Sequence, residues 1–225
     1  MGFYRGPRIV RDGLVLALDA GSKRSYPGTG TTLYDLSGNS GTGTLSDLVY
    51  NDSYNGTLEF NGVDQLVTFG NLDSIKNLST GTIDIWFRPA TTAMTFLISW
   101  FGNSSDYMRL QVYGNSTIIL YTEVGNVGTG LTSTNISPLN VWANCVITQD
   151  GTTTRMYINK ILQSNTSNAT WFGTHPNLSL YLAYQLGWSG YYFKGLIGPC
   201  KIYNKSLSQQ EITQNFNAHK SRFGL

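Results

Sequence analysis

The chain has 225 residues and a formal net charge of +2, with hydrophobic residues at 40% and charged residues at 12%. So small a charge excludes nucleic acid as the main partner. A charged share about half that of ordinary globular domains, with glutamate confined to Glu59, Glu123 and Glu211, excludes a helical protein.

Residues 1–12 read as an N-terminal arm, with Arg5, Arg8 and Arg11 spaced through Gly, Pro and Val, and residues 13–225 as one domain. GLVLALDA predicts a buried strand, closed by the loop GSKRSYPGTGTT. LYDLSGNSGTGTL reads as a turn-laden link. In TLEFNGVDQLVTFG, Leu58 and Phe60 alternate before Asn61-Gly62, and Leu66, Val67 and Phe69 follow, which predicts a hairpin. GTIDIWFRPA alternates Ile83, Ile85 and Phe87 against Thr82, Asp84, Trp86 and Arg88, a half-buried strand with Pro89 at its exit. Strands follow at TFLISWF, DYMRLQVY, STIILYTEV, VWANCVITQD, TTRMYINKIL, LSLYLAYQLG and YYFKGLIGPCKIYN, separated by turns such as Asp150-Gly151 and Ser189-Gly190. Many short strands at regular spacing predict a sandwich or barrel. The segment SLSQQEITQNFNAHKSR alone predicts a helix. Ser208 and Glu211 form a capping box, and Ile212, Phe216 and His219 share a face.

Cys145 and Cys200 both sit in apolar strand patterns, as two buried thiols or, if their Cα atoms lie within about 7 Å, as a disulfide. The N-terminus carries charges where a signal core would be apolar. The expectation is a chain made in the cytoplasm without a signal peptide, and no stretch approaches the ~20 apolar residues of a membrane helix. Asn-x-Ser/Thr triplets recur, as an Asn/Ser/Thr-rich chain produces them by chance.

Three stretches, in order, carry a resemblance: LEFNGVDQLVTFG with GTIDIWFRP, VWANCVITQDGTTTRMYINKIL, and FKGLIGPCKIYNKSLSQQEI. Together they resemble the laminin-G-like, concanavalin A-like jelly-roll superfamily over roughly residues 13–217. The resemblance implies an all-β, two-sheet antiparallel jelly-roll sandwich with one short C-terminal helix. The residues make folding sense too. Trp142 can anchor the core, Asp150-Gly151 supplies a tight turn, Asn159 opens the next, and Gly195 and Gly198 allow close approach of a neighbouring strand. A narrower stretch, GPRIVRDGLVLALDAGSKRSYPGTGTTLYDLSGNSGTGTL, resembles the opening of laminin-G-like virion proteins of tailed phages. There the implied roles are capsid decoration, head fibre or tail attachment.

Glucanases of this superfamily place carboxylates in a Glu-x-Asp-x-x-Glu pattern on one strand, about 5 Å apart for retaining chemistry. Here Asp84 is matched, but Thr82 and Phe87 stand at the glutamate positions, so Asp84 reads as a polar residue on a strand face and no catalytic residue is assigned. His175 and His219 lack a Ser/Asp or Cys/Asn constellation. The resemblance brings Ca²⁺ into view as a cofactor, held by several converging oxygens. The candidate ligands are Asp64, Asp106 and Asn103, with Asp35 beside them, although such residues in Gly/Asn/Ser loops also form turns. Exposed aromatics offer stacking surfaces for sugar or for a subunit contact: Trp188, Tyr191 and Tyr192 around one Ser-Gly turn, and Trp171 in another loop. Phe3, Tyr4, Arg5, Arg8 and Arg11 are the arm residues suited to docking on a partner.

The expected function is a phage virion structural protein, a decoration or fibre subunit on the particle surface. It would contact the major capsid protein or other virion proteins, as a homo-oligomer with no nucleic-acid or membrane partner. The alternatives are a lectin module binding a cell-surface glycan and, below it, a glycoside hydrolase.

Overall fold

Period-two patterning puts alternate side chains of each strand on opposite faces, so every strand has one side to bury against a second layer. The computed structural model describes residues 8–39, 41–47, 49–76, 78–103, 105–113, 117–134, 138–163 and 179–225. Its early strands are β1 (Leu14–Leu18), β2 (Thr32–Tyr34), β3 (Thr42–Leu45), β4 (Val49–Asn51), β5 (Thr57–Asn61) and β6 (Val67–Asn71). The middle of the chain forms β7 (Gly81–Pro89), β8 (Thr95–Asn103), β9 (Asp106–Val112), β10 (Ile118–Val124) and β11 (Val127–Thr132). Then come β12 (Ala143–Gln149), β13 (Thr154–Ile158), β14 (Ile161–Leu162), β15 (Ser179–Leu182) and β16 (Lys194–Tyr203), and the helix α1 (Gln209–His219). All pairings between these strands are antiparallel.

Two sheets result. The first runs β14-β13-β12-β7-β16-β5-β4, with β1 beside β16; the second runs β11-β10-β9-β8-β15-β6-β3-β2. Phe60, Phe87 and Ile147 from the first meet Phe69, Trp100 and Leu110 from the second in one continuous core. One edge of the ten-residue β16 is divided: Lys194–Ile197 pair with β5, and Cys200–Tyr203 pair with β1.

The all-β sandwich with its single capped C-terminal helix is as expected. Several local expectations are corrected. The link LYDLSGNSGTGTL contains strand pairing, because β2 and β3 form a hairpin at the edge of the second sheet. Its glycine is what permits this: a Cβ at Gly43 would lie 2.6 Å from the Phe69 ring. Asn61-Gly62 is not a hairpin turn. β5 pairs only within the first sheet and β6 only within the second, so the chain crosses the sandwich there. The corner is held by Asn61 N–H donating to Gln65 Oε1 (2.7 Å), while the Asn61 side chain bonds Asp64 (2.8 Å).

β7 is buried on both faces rather than on one. α1, the following 3-10 turn Lys220–Phe223 and the N-terminal segment lie across the outer face of the first sheet and cover its middle, while Glu59, Arg88 and Lys194 at one end stay in contact with water. Beneath them, Trp86, Trp142, Leu196, Phe216 and Phe223 form a second apolar layer. Trp142 therefore anchors the helix side, not the space between the sheets.

Asp84, expected on a strand surface, is enclosed here. Its carboxylate receives Lys201 Nζ (3.1 Å), Asn144 Nδ2 (2.7 Å) and Asn215 Nδ2 (3.0 Å). Asn215 of α1 also accepts from Val10 N–H (2.8 Å), and Tyr203 Oη donates to Val10 O (3.1 Å), so the network ties the N-terminal segment to the helix.

Cys145 and Cys200 are buried free thiols. Both pair with Ile85 of β7, one from each side, and strands about 4.8 Å apart put their Cα atoms roughly 10 Å from each other, too far for a disulfide. Burial raises both thiols, Cys200 to about 12.

His219 packs edge-on against Trp86 with its Nε2 sealed from solvent and without a partner. Desolvation, and then the charges of Lys201 and Arg222, lower it to about 2. The unfolded imidazole binds a proton near pH 6.5, so this contribution to stability is complete above that pH. It is lost as pH falls from 6.5 toward 2, at up to about 1.4 kcal/mol per pH unit. Thermal melts from pH 7.5 to 5 are expected to show a falling midpoint. His219→Gln should flatten the slope between pH 6.5 and 5, above the range in which ordinary carboxylates titrate.

Candidate binding face

The outer face of the first sheet is covered over its middle, with a polar cleft lined by Glu59, Arg88 and Lys194 left at one end, whereas no helix lies across the outer face of the second among the described residues. Register determines what it presents. Phe101 pairs with Tyr107, Ser99 with Arg109 and Phe96 with Gln111, while Arg109 also stands opposite Tyr121 and Tyr107 opposite Glu123. Directly opposed residues share a face, so Tyr107, Arg109, Gln111, Tyr121 and Glu123 all point outward, with Met108, Leu110 and Leu120 in the core behind them.

Arg109 is the centre of this face. Its Cζ lies 4.5 Å from the ring centroid of Trp188, 4.7 Å from Tyr121, 5.2 Å from Phe96 and 5.4 Å from Tyr107. Each such contact contributes about 0.5–2 kcal/mol, more as water is excluded. The residue is only 9% exposed, and its Nε and Nη1 are buried without a hydrogen-bond partner. Desolvation lowers the guanidinium from its ordinary value, offset by the surrounding tyrosines and Glu123. Glu123 does not pair with it. Instead, Glu123 Oε2 accepts from Tyr107 Oη (2.7 Å) and Tyr121 Oη (3.1 Å). Burial and that bond to Glu123 raise the Tyr107 phenol.

The loop between β15 and β16 brings the remaining rings. It is laid against the start of β8 by Phe96 N–H donating to Tyr191 O (2.9 Å), Ala183 N–H to Leu97 O (3.0 Å) and Ser99 Oγ to Tyr184 O (2.6 Å). Gly187 (φ +84) and Gly190 (φ +88) make the turn that holds Trp188 over Arg109, with open space around both. Trp188 and Tyr191 stand 5.9 Å apart and each packs on Phe96, while Tyr192 stacks on Tyr184 at 4.6 Å. At the root of the turn both amide atoms of Gln185 are buried and unpartnered, as is Gln111 Oε1 beside Arg109. On the other flank, Gly128 makes room for Tyr121, whose hydroxyl would meet a Cβ at 2.2 Å. The result is a shelf of rings around a buried cation, with amide groups short of partners nearby.

Of the aromatic candidates read from the sequence, Trp188 and Tyr191 meet at Arg109, Tyr192 lies alongside, and Trp171 falls outside the described residues. Phe96, Tyr107, Arg109 and Tyr121 were missed, because their convergence depends on strand register. Phe3, Tyr4 and Arg5 also fall outside the described residues. Arg8 and Arg11 lie on the opposite side of the sandwich: Arg8 O accepts from Gln214 (2.8 Å), and Arg11 lines a cleft of about 240 Å³ with Arg24, Lys201 and His219.

The candidate calcium ligands do not converge. Asn103 and Asp106 bond each other (2.8 Å), and Asp106 also accepts from Gly125 N–H (3.0 Å). Asp64 interacts electrostatically with Tyr192, which bridges to Phe96. Phe96 and Asn103 are seven residues apart on β8, roughly 23 Å. Asp35 spends its oxygens on Ala17 and Ser37. Among the described residues no group of three or more His, Cys, Asp or Glu is placed to hold a metal ion. No helix among them is long and apolar enough to cross a membrane.

A laminin-G family model, described as the concanavalin A-like lectin/glucanases superfamily, matches residues 61–213. A sequence search of curated proteins finds no match. Among solved structures, domain 4 of AbnA, a GH43 extracellular arabinanase from Geobacillus stearothermophilus, was determined in complex with arabinotriose. It is similar with a TM-score of 0.76 at 19% identity, over 90% of this chain and 97% of that one. The botulinum neurotoxin serotype G binding domain is similar with a TM-score of 0.70 at 18% identity, over 90% of this chain. The serotype D binding domain gives 0.71 at 16%, over 92%. This chain spans about half the length of those two toxin domains, 50% and 52%.

Proposed function

This chain belongs to the concanavalin A-like lectin/glucanases superfamily, and from that premise we propose that it is a binding module holding a cell-surface saccharide across the outer face of its second sheet. The observation that carries the reading is the contrast between the two outer faces. One is closed by α1 over an apolar layer; the other is open and presents Trp188, Tyr191, Tyr107 and Tyr121 around Arg109. Sugar rings present apolar C–H faces that stack on aromatics and hydroxyls that satisfy amide groups, and this surface offers both partners. Similarity to a domain crystallised with arabinotriose, and to toxin binding domains, supports the same reading.

A glycan array probed with the full chain tests it. Saturable binding to a subset of glycans is expected, weakened at least about tenfold by Trp188→Ala. Failure of the folded wild-type chain to bind any glycan saturably would overturn the reading.

A virion setting is a further part of the proposal, resting on the resemblance of the N-terminal stretch to tailed-phage proteins and on one geometric observation. Val10 is held to α1 and Tyr203, on the side opposite the aromatic face. In this setting the helix side is seated on a capsid or neighbouring subunit, with Phe3, Tyr4, Arg5, Arg8 and Arg11 as the candidate contacts, while the ring shelf faces outward. Imaging of native particles should show many symmetric copies seated by their helix side. Particles lacking the protein would remove this setting and leave the saccharide reading intact.

A further inference from the structure

We propose that the saccharide taken by this face is acidic, and that Arg109 receives its carboxylate. The inference rests on the saccharide reading above and deepens it by naming the ligand class. Arg109 is only 9% exposed, with Nε and Nη1 sealed from water, and a cation so placed is normally matched by a carboxylate. Arg109 has none: no ion pair or hydrogen bond to it is present among the described residues. Glu123, which acts on it electrostatically, is instead hydrogen-bonded to the Tyr107 and Tyr121 hydroxyls. Ring contacts offset part of the cost, but they satisfy charge and not N–H donors.

The arrangement also selects the shape of the missing partner. Four rings lie within 5.4 Å of the guanidinium carbon, so a ligand oxygen approaches in the plane of the group, where Nε and Nη1 are unpaired on the two edges that flank Nη2. Each of these edges is a planar fork completed by Nη2, and a carboxylate matches either one with two parallel hydrogen bonds. A hydroxyl of a neutral sugar would answer one donor and leave the charge uncompensated. Trp188, which is 36% exposed on a turn between two glycines of positive φ, stands beside this approach as the stacking surface. A uronic acid unit fits these demands together: a carboxylate for the fork, and a ring to stack where Trp188 and Tyr191 stand.

The test compares oligogalacturonates with their methyl esters of equal length, matched in shape and different in charge, by titration calorimetry on the full chain. Wild type should bind the acid form at least about tenfold tighter, as expected for a charge-assisted pair replacing a neutral contact, and the preference should shrink as salt rises. Arg109→Gln, with its fold checked by near-ultraviolet circular dichroism, should bring the ratio between the two ligands to about one, while Arg109→Lys should keep part of it. Quenching of tryptophan fluorescence by the acid form, absent in Trp188→Phe, would report ligand contact at Trp188. Equal binding of acid and ester by wild type would overturn the proposal and leave the saccharide reading standing. That comparison decides the matter even if Arg109→Gln does not fold. Binding of neither ligand, with a neutral glycan bound instead, would overturn it as well, and binding of no saccharide at all would remove both.

Discussion

Asp84→Ala is expected to destabilise the protein by about 3–5 kcal/mol, because it leaves the Lys201 ammonium buried without a counter-charge. Both side chains are sealed, at 3% and 1% exposure, and the carboxylate also holds Asn144 and Asn215. The loss therefore reaches the N-terminal segment through Asn215 and Val10. A domain commonly has about 5–15 kcal/mol in total, so the variant should approach the limit of folding. Replacing both partners with apolar residues, Asp84→Leu with Lys201→Met, should cost far less, since no charge is then stranded. Denaturant unfolding of the three proteins measures this directly. A loss under about 1 kcal/mol for Asp84→Ala would show that the pair contributes little.

Phe223→Ala should cost a similar amount, about 3–5 kcal/mol, by opening a cavity in the apolar layer beneath the C-terminus. The ring lies 4.2 Å from the Trp142 centroid and 4.7 Å from Trp86, and it fills the space above Gly198, where a Cβ would approach it to 2.8 Å. The melting midpoint should fall by on the order of 10 °C. Phe223→Leu, which keeps most of the volume, should lose clearly less. Equal effects of the two would show that the site relaxes around the loss.

The two variants concern what closes one face, and that closure is what makes the other face the site. Part of this was legible in the sequence. The capping box of Ser208 and Glu211, with Ile212 and Phe216 on one stripe, marks a helix with a single apolar side, and the helix is observed. The Asp150-Gly151 turn between two alternating runs predicts the pairing of β12 with β13, which is present. Local signals identify such elements because the interactions that make them span few residues.

Longer-range outcomes were not legible. Asn61-Gly62 has the chemistry of a hairpin turn, yet β5 is drawn to β16 and β6 to β15, partners more than a hundred residues away. The alternation in GTIDIWFRPA reads as one wet face, and only the tertiary position of α1 covers Trp86 and Asp84. The alternation of DYMRLQVY does place Tyr107, Arg109 and Gln111 together. Their meeting with Tyr121 depends on the register of β9 with β10, and their meeting with Phe96 and Trp188 on where the loop after β15 is laid down. Trp188 and Tyr191 could be nominated from composition; Arg109 could not.

The most direct measurement is amide and side-chain chemical-shift mapping of the isotopically labelled protein during titration with an acidic oligosaccharide. Shifts should concentrate on Tyr107, Arg109, Gln111 and Tyr121, on the Trp188 indole and on the 184–192 loop, while α1 and the segment around Val10 stay still. Shifts clustered instead around α1, Lys201 and the Arg11 cleft, with the ring shelf unmoved, would contradict the account.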